Sequence, residues 1–316
     1  MNRTFAKLEH LCKAHSTLPL FQIDGSVSSR KVFRKQKVQE RRKYLNLPLL
    51  LSCVMLLVIG CSTNRINEQR QIHQMVIQDS LRITYHVDKI SYSPIDRTFF
   101  LLNRDDNTVR IYRNGVFFNR IGGSVFTDDG FRRLSDIALG IDGHLYALDS
   151  FDKSIKRFDR DGIFQGQMIL NTLSAPERIA FTSHGSAFVY DGHSKEIFAL
   201  DSFDFSIKFS FGKFQIDRAD AFFIAGEYLS VFDRDKSDTT VFLTNGMLVN
   251  TFQGFSFYDP FRNLLNISGN VLTDVRTERS IYQKDTGFVR FNTERDLFIF
   301  WTNQNGFNQI RVYRVW

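Results

Sequence analysis

Few side chains in this sequence have the type and spacing to do chemistry. Asp149, Asp191 and Asp233 stand 191 − 149 = 42 and 233 − 191 = 42 residues apart. Three carboxylates brought to one axis could hold a hard cation such as Ca²⁺. A residue that recurs once per repeat at the end of a strand is more often a turn former, accepting hydrogen bonds from nearby backbone N–H groups. That structural role is the one expected of these three. Asp159-Arg160-Asp161-Gly162 begins like a calcium loop but lacks the later ligands and the closing Glu, so it reads as a hairpin turn. His86, His144, His184 and His193 show no HExxH spacing; His144 and His184 sit beside Gly143 and Gly185 in turn-like segments. There is no Gly-x-Ser-x-Gly elbow and no phosphate-binding loop. No cofactor is expected, with Ca²⁺ reserved for an enzymatic alternative.

These residues must be positioned by short elements. From about residue 80, runs of Ile, Val, Phe, Tyr and Leu alternate with Gly, Asp and Asn turns, the pattern of an all-β chain. Three segments repeat: SDIALGIDGHLYALDSFDKSIKRFDRDGIFQGQM (135–168), ERIAFTSHGSAFVYDGHSKEIFALDSFDFSIKFSFG (177–212) and ADAFFIAGEYLSVFDRDKSDTTVFLTNGMLVNTFQGF (219–255). Each gives four strands, the second ending in a marker Asp. A period of 40–45 residues carrying four strands is that of a propeller blade.

The looser blades put Asn103, Asp274 and Thr302 at the marker position. The interval 302 − 274 = 28 is short, so blade five is expected to lack or abbreviate its outer strand. SLRITYHV (80–87) is expected to supply the fourth strand of the last blade and close the ring, leaving no free edge. Six blades are expected, with five as the alternative. A competing register exists, because ALDSFDKSIK (147–156) nearly repeats as ALDSFDFSIK (199–208), 52 residues on. The 42-residue register keeps three blades in phase, so the second match is taken as a repeated hairpin turn.

The stretch SDIALGIDGHLYALDSFDKSIKRFDRDGIF resembles an NHL repeat, and the whole domain resembles the six-bladed, TolB-like propellers found in bacterial lipoproteins. The resemblance is good over about 120 residues and weaker in blades one, five and six. It implies a fold and leaves the activity open. Lactonase-like relatives of this architecture carry calcium in the channel, which defines the enzymatic alternative: a propeller hydrolase or lyase with a divalent metal.

The leader carries a separate signal. Arg41, Arg42 and Lys43 precede an apolar run from Leu45 to Gly60, and Cys61 follows. This is the order of a secretory signal, and at 16 residues with Pro48 inside it is short for a spanning helix. Val58-Ile59-Gly60-Cys61 resembles the lipobox of bacterial lipoproteins. That resemblance implies acylation of Cys61, palmitate included, cleavage before it, and anchoring in the cell envelope, with Ser62 favouring the outer membrane. Cys12 and Cys53 would then be lost, leaving Cys61 as the only mature cysteine. Residues 38–60 read as signal peptide, 61–78 as a polar, flexible tether and 79–316 as propeller. The basic extension 1–37 is too long for an n-region and points to a start nearer Val32 or Val38, the alternative being a true cytosolic extension.

Charge follows this division. The net charge is +7, but residues 1–60 hold 11 Lys/Arg against 3 acids, or +8, which leaves 30 − 31 = −1 for the remainder. A near-neutral domain removes nucleic acid as an expected partner. With 43% hydrophobic residues, 33 Phe and three Cys, the chain is neither disordered nor a disulfide scaffold.

Loops after the second strands should gather on one face, where Arg104, Phe151, His193, Arg234, Arg276 and Trp301 are the candidate ligand-binding residues. Arg and aromatic side chains suit a polar ligand such as a peptide or glycan. The function expected is a lipid-anchored binding or interaction module; a scaffold subunit of an envelope complex is the remaining alternative, with an envelope protein as partner. Replacing Cys61 by Ala is expected to abolish labelling by radioactive palmitate and to leave a larger, unprocessed chain on gels.

Overall fold

The computed structural model describes residues 75–315 apart from 202, 270, 284–288, 295–296 and 305–306. The chain divides into Met1–Asn67 and Glu68–Trp316, and every described residue belongs to the second unit. The basic extension, the signal peptide, Cys61 and the tether up to residue 74 lie outside the described residues.

The described chain forms six four-stranded antiparallel sheets, and no helix occurs among the described residues. Strand β1 (Met75–Ile83) comes first. Sheet one is β2 (Lys89–Ser93), β3 (Thr98–Asn103), β4 (Thr108–Arg113) and β5 (Val116–Gly122). Sheet two is β6 (Leu134–Leu139), β7 (Leu145–Asp149), β8 (Ser154–Phe158) and β9 (Phe164–Ile169). Sheet three is β10 (Pro176–Phe181), β11 (Ala187–Asp191), β12 (Glu196–Leu200) and β13 (Ile207–Phe211). Sheet four is β14 (Ala221–Ala225), β15 (Tyr228–Asp233), β16 (Asp238–Leu243) and β17 (Leu248–Gln253). Sheet five is β18 (Phe255–Tyr258), β19 (Leu264–Ser268), β20 (Val271–Asp274) and β21 (Arg279–Gln283). Sheet six is β22 (Val289–Glu294), β23 (Leu297–Gln304), β24 (Phe307–Val315) and, as its fourth strand, β1. The protein is a six-bladed β-propeller, and the five-blade alternative is set aside.

Burial follows strand position. Second strands are apolar on both faces because a neighbouring blade covers each: every residue of β3, β7 and β11 is buried. Fourth strands lie at the rim, and β9 alternates half-buried and exposed side chains at the two-residue period of a half-covered strand. Apolar clusters fill the gaps between blades. Phe100, Leu102 and Ile111 meet Ile137 and Ala147 between blades one and two, and Tyr190 and Ile197 meet Phe222 and Leu229 between blades three and four. Ile90, Phe99 and Leu101 pack with Leu297, Ile299 and Trp301, so the first and last blades share one core.

Alternating strand direction gives the propeller two ends. Turns between second and third strands, and connections between blades, lie at what we term the upper end. Hairpins between first and second and between third and fourth strands lie at the lower end. The two near-identical decapeptides fall at opposite ends: 147–156 spans the β7–β8 turn and 199–208 the β12–β13 turn.

Two differences from expectation concern the chain ends of the repeat. β1 starts at Met75 and ends at Ile83, pairing with β24 from Met75↔Val315 to Ile83↔Asn308, so residues 84–87 of the expected strand lie beyond it. Blade five has all four strands, and the expectation of a missing outer strand is corrected. Its first strand was hidden in the tail of the previous repeat: β18 follows β17 after Gly254 alone. The Thr239 hydroxyl donates to the Gly254 carbonyl at 2.8 Å and accepts from Ser256 N–H at 3.0 Å. This splice holds β18 against β15, β16 and β17, while β14 packs directly on β22.

The first turn of blade five contains Asp259, fully buried. Its carboxylate accepts from the N–H groups of Phe261 and Asn263 at 2.8 and 2.7 Å and from Asn263 Nδ2 at 2.8 Å. Burial outweighs these bonds and, with the charge of Asp274 nearby, the carboxyl is pushed up to about 6. An unfolded Asp titrates near 3.9, so this group contributes most below that pH and its contribution is lost as pH rises through about 6. The unfolding free energy from denaturant titrations is expected to fall between pH 4 and 7 by on the order of 2 kcal/mol from this group, and Asp259→Asn should flatten that slope.

Candidate functional site

The marker carboxylates are spent on backbone. Asp149, fully buried, accepts from Phe151 and Asp152 N–H within its own turn and from Arg132 and Arg133 N–H of the incoming connection. Asp191 does the same with His193, Ser194, Ser174 and Ala175. Burial would raise its pKa, but these four donors overcome it and hold the carboxyl below the ordinary value. Asp233 accepts from Asp235 and Lys236, and Asn103 accepts from Asp105 in blade one. The fourth residue after each marker, namely Asn107, Lys153, Lys195 and Ser237, has φ between 49° and 57° and completes the turn.

The candidate rim residues occupy different parts of the fold. Arg104 bridges blades, its Nε donating to Ser135 O at 2.8 Å and its backbone N–H to Asp88. Phe151 is exposed beneath the Arg132 guanidinium, 4.2 Å from the ring centre. His193 and Arg234 are exposed on the upper turns of blades three and four. Arg276 does not join them: its turn connects β20 to β21, third strand to fourth, and lies at the lower end. Trp301 is not a rim residue either. It lies within β23, 3% exposed, in the core shared by the first and last blades.

A line of charge at the upper mouth went unnoticed in the sequence. Strand register gives Lys89↔Leu102, Asp136↔Leu148, Arg178↔Tyr190 and Ala221↔Phe232, one first-strand position in four successive blades, each opposite the residue before the marker. Arg290 holds the matching place in blade six, opposite Trp301. Lys89 Nζ donates to Asp136 Oδ2 at 2.9 Å, and Ile179 N–H of the next blade donates to the same oxygen at 2.9 Å. Asp136 is fully buried, and its Oδ1 has no hydrogen-bond partner among the described residues. Arg178 donates from Nη1 to Glu177 O at 2.9 Å, while its Nε has no partner among the described residues. Desolvation, then the neighbouring Arg104 charge, pulls the Arg178 pKa below its ordinary value. The signal was present: 178 − 136 = 42 repeats the marker spacing, in S-Asp136-IAL and E-Arg178-IAF.

Below this line the channel narrows to a cavity of about 50 Å³ lined by Lys89, Ala138, Ile179, Phe181, Phe223 and Asn292. That is room for a few waters and not for an organic ligand. A second cleft of about 250 Å³ opens at the lower end beside His184, Tyr228 and Pro260; its cation, Arg262, is paired with Glu227 at 2.7 Å. Among the described residues no three His, Cys, Asp or Glu side chains converge as a cation would require.

No family model and no curated protein matches the chain. Among solved structures, the catalytically inactive variant of virginiamycin B lyase from Staphylococcus aureus with quinupristin is similar at 13% identity, over 71% of this chain and 79% of that one, with a TM-score of 0.50. The selenomethionine-substituted lyase from the same organism is similar at 13% identity over the same shares, with a TM-score of 0.49. The β-propeller domain of Cps50 (Swd1) from Myceliophteria thermophila is similar at 10% identity, over 77% of this chain and all 100% of that domain, also with a TM-score of 0.49. At such identities, likeness speaks to the fold alone.

The Lys89–Asp136 pair is expected to behave as a buried ion pair. Asp136→Ala strands the ammonium and should cost about 3 kcal/mol in urea unfolding, whereas Lys89→Met with Asp136→Leu should recover most of that loss. A double-mutant cycle measures the difference.

Proposed function

We propose that this chain is an exported, lipid-anchored propeller of the bacterial cell envelope that binds a polar ligand at its upper mouth. The observation that carries the binding site is the pairing left incomplete, among the described residues, at Arg178 and Asp136: a desolvated guanidinium whose Nε has no partner there beside a buried carboxylate whose Oδ1 has none. Unmade hydrogen bonds of buried charged groups are costly, and a ligand that completes them recovers that energy. Such a ligand presents a hydrogen-bond acceptor next to a donor, as a peptide group or a sugar's vicinal hydroxyls do. Phe151 and His193, exposed on the turns of blades two and three, offer stacking surface around it. The leader supports the location, and the near-neutral charge of residues 61–316 supports a ligand other than nucleic acid.

The test is a screen of the full chain against peptide and oligosaccharide arrays, followed by calorimetry on any ligand found. Arg178→Ala should weaken binding by tenfold or more, as loss of a charge-assisted hydrogen bond worth about 1.5–3 kcal/mol implies. Arg178→Lys should not restore it, because an ammonium lacks the planar fork. Affinity unchanged in Arg178→Ala would sink the assignment of the site, and chemical turnover of the bound compound would sink the binding-module reading.

A further inference from the structure

The lower end carries an exposed large apolar side chain at a hairpin tip in each of blades one to five: Ile95, then Ile141 and Ile163, Phe203, Met247 and Val275. Topology places them together, since every hairpin between first and second or third and fourth strands turns at that end. The chain also enters the propeller there. β1 runs antiparallel to β24 with Met75 opposite Val315, the lower end of β24, and Ile83 opposite Asn308, its upper end. Upstream of Met75 stand residues 61–74, and before them the apolar run Leu45–Gly60. Fourteen residues reach at most about 50 Å fully extended, so a membrane holding the acylated Cys61 of the lipid-anchored reading lies within a short leash of the lower end.

We infer that the lower face rests on the lipid bilayer surface, with its hairpin tips in the headgroup boundary and the charged upper mouth turned to the aqueous phase. The inference rests on the membrane-anchored reading above and adds to it an orientation. Exposed apolar side chains recurring on one face of a fold mark interaction surfaces, and interfacial binding scales with the apolar area inserted. The upper end also exposes aromatics, Phe126, Phe151 and Phe214, but two of the three sit against cations. Phe151 lies under Arg132, and Phe214 has the Lys213 ammonium 5.8 Å from its ring centre. Charges near the lower end are largely paired with each other, Arg113 with Asp161 at 2.8 Å, Arg262 with Glu227 at 2.7 Å and Lys208 with Asp201 at 2.9 Å. Docking is therefore apolar in character and insensitive to salt.

The experiment uses the full chain in phosphatidylethanolamine–phosphatidylglycerol vesicles with brominated acyl chains, which quench nearby tryptophan. Phe203→Trp reports on the lower end and Phe126→Trp on the upper; both side chains are 94% exposed, so neither change disturbs packing. With the wild-type emission subtracted, the tryptophan of Phe203→Trp should shift to the blue and lose intensity, and that of Phe126→Trp should do neither. The contrast should persist in 1 M salt, where the Debye length is about 3 Å. Equal quenching of both, or quenching of Phe126→Trp alone, overturns the orientation. Flotation of the same samples separates the two readings: a chain that floats with vesicles but leaves Phe203→Trp unquenched overturns the orientation alone. A chain that stays in the aqueous fraction overturns anchoring and orientation together.

Discussion

A four-stranded sheet that is apolar on both faces cannot stand alone, and this constraint organises the molecule. Every residue of β3, β7 and β11 is buried because a neighbouring blade covers each face. Large aromatics such as Phe100, Tyr190 and Phe298 fill the spaces between blades with few contacts to water. The need for a neighbour on both sides also applies to the first and last sheets, which meet through Ile90, Phe99, Ile299 and Trp301. Pairing of β1 with β24 removes the free edge that sheet six would otherwise present.

Charge inside such a ring is tolerated only where blades satisfy one another. Lys89 from blade one reaches Asp136 of blade two, and Asp136 in turn accepts from the backbone of blade three. The same line explains why the mouth, and not the channel, carries the incomplete pairing. Deeper positions on the first strands are alanine, isoleucine and phenylalanine, and they close the bore to about 50 Å³. Asp149 and Asp191, although carboxylates, add no reactivity, since four backbone N–H donors engage each of them.

The 42-residue period made the fold legible in the sequence, because the blade is the unit that repeats and its marker Asp is fixed by turn geometry. The misplacement of Arg276 and of the blade-five strands had one physical cause. A turn of Asp followed by two donating N–H groups and a left-handed fourth residue works equally well at either end of a blade. Asp274, with Arg276 and Thr277 donating and Glu278 at φ 55°, makes it between third and fourth strands. Asp233, with Asp235 and Lys236 donating, makes it between second and third. The motif identifies the turn and not its end, so Arg276 was placed on the wrong face and blade five was read one strand out of phase. Trp301 failed differently, since an aromatic near a strand end carries no local mark of whether a neighbouring blade will cover it.

The same equivalence of turns explains how one repeat produces two unlike faces. Upper turns are held from both sides, by their own marker and by the connection arriving from the previous blade, as Arg132 and Arg133 are held by Asp149. Lower hairpins connect adjacent strands, and what ties they make run sideways to a neighbouring blade, as Arg113 to Asp161 and Arg262 to Glu227. The sequence ALDSF shows the consequence. In blade two its Asp149 ties Phe151 into a braced upper turn, beneath Arg132. In blade three the matching Asp201 holds Phe203 in an unbraced hairpin, 94% exposed. Identical local chemistry therefore yields a turn tied to the incoming connection in one blade and a projecting hairpin tip in the next, decided by which strands the turn joins.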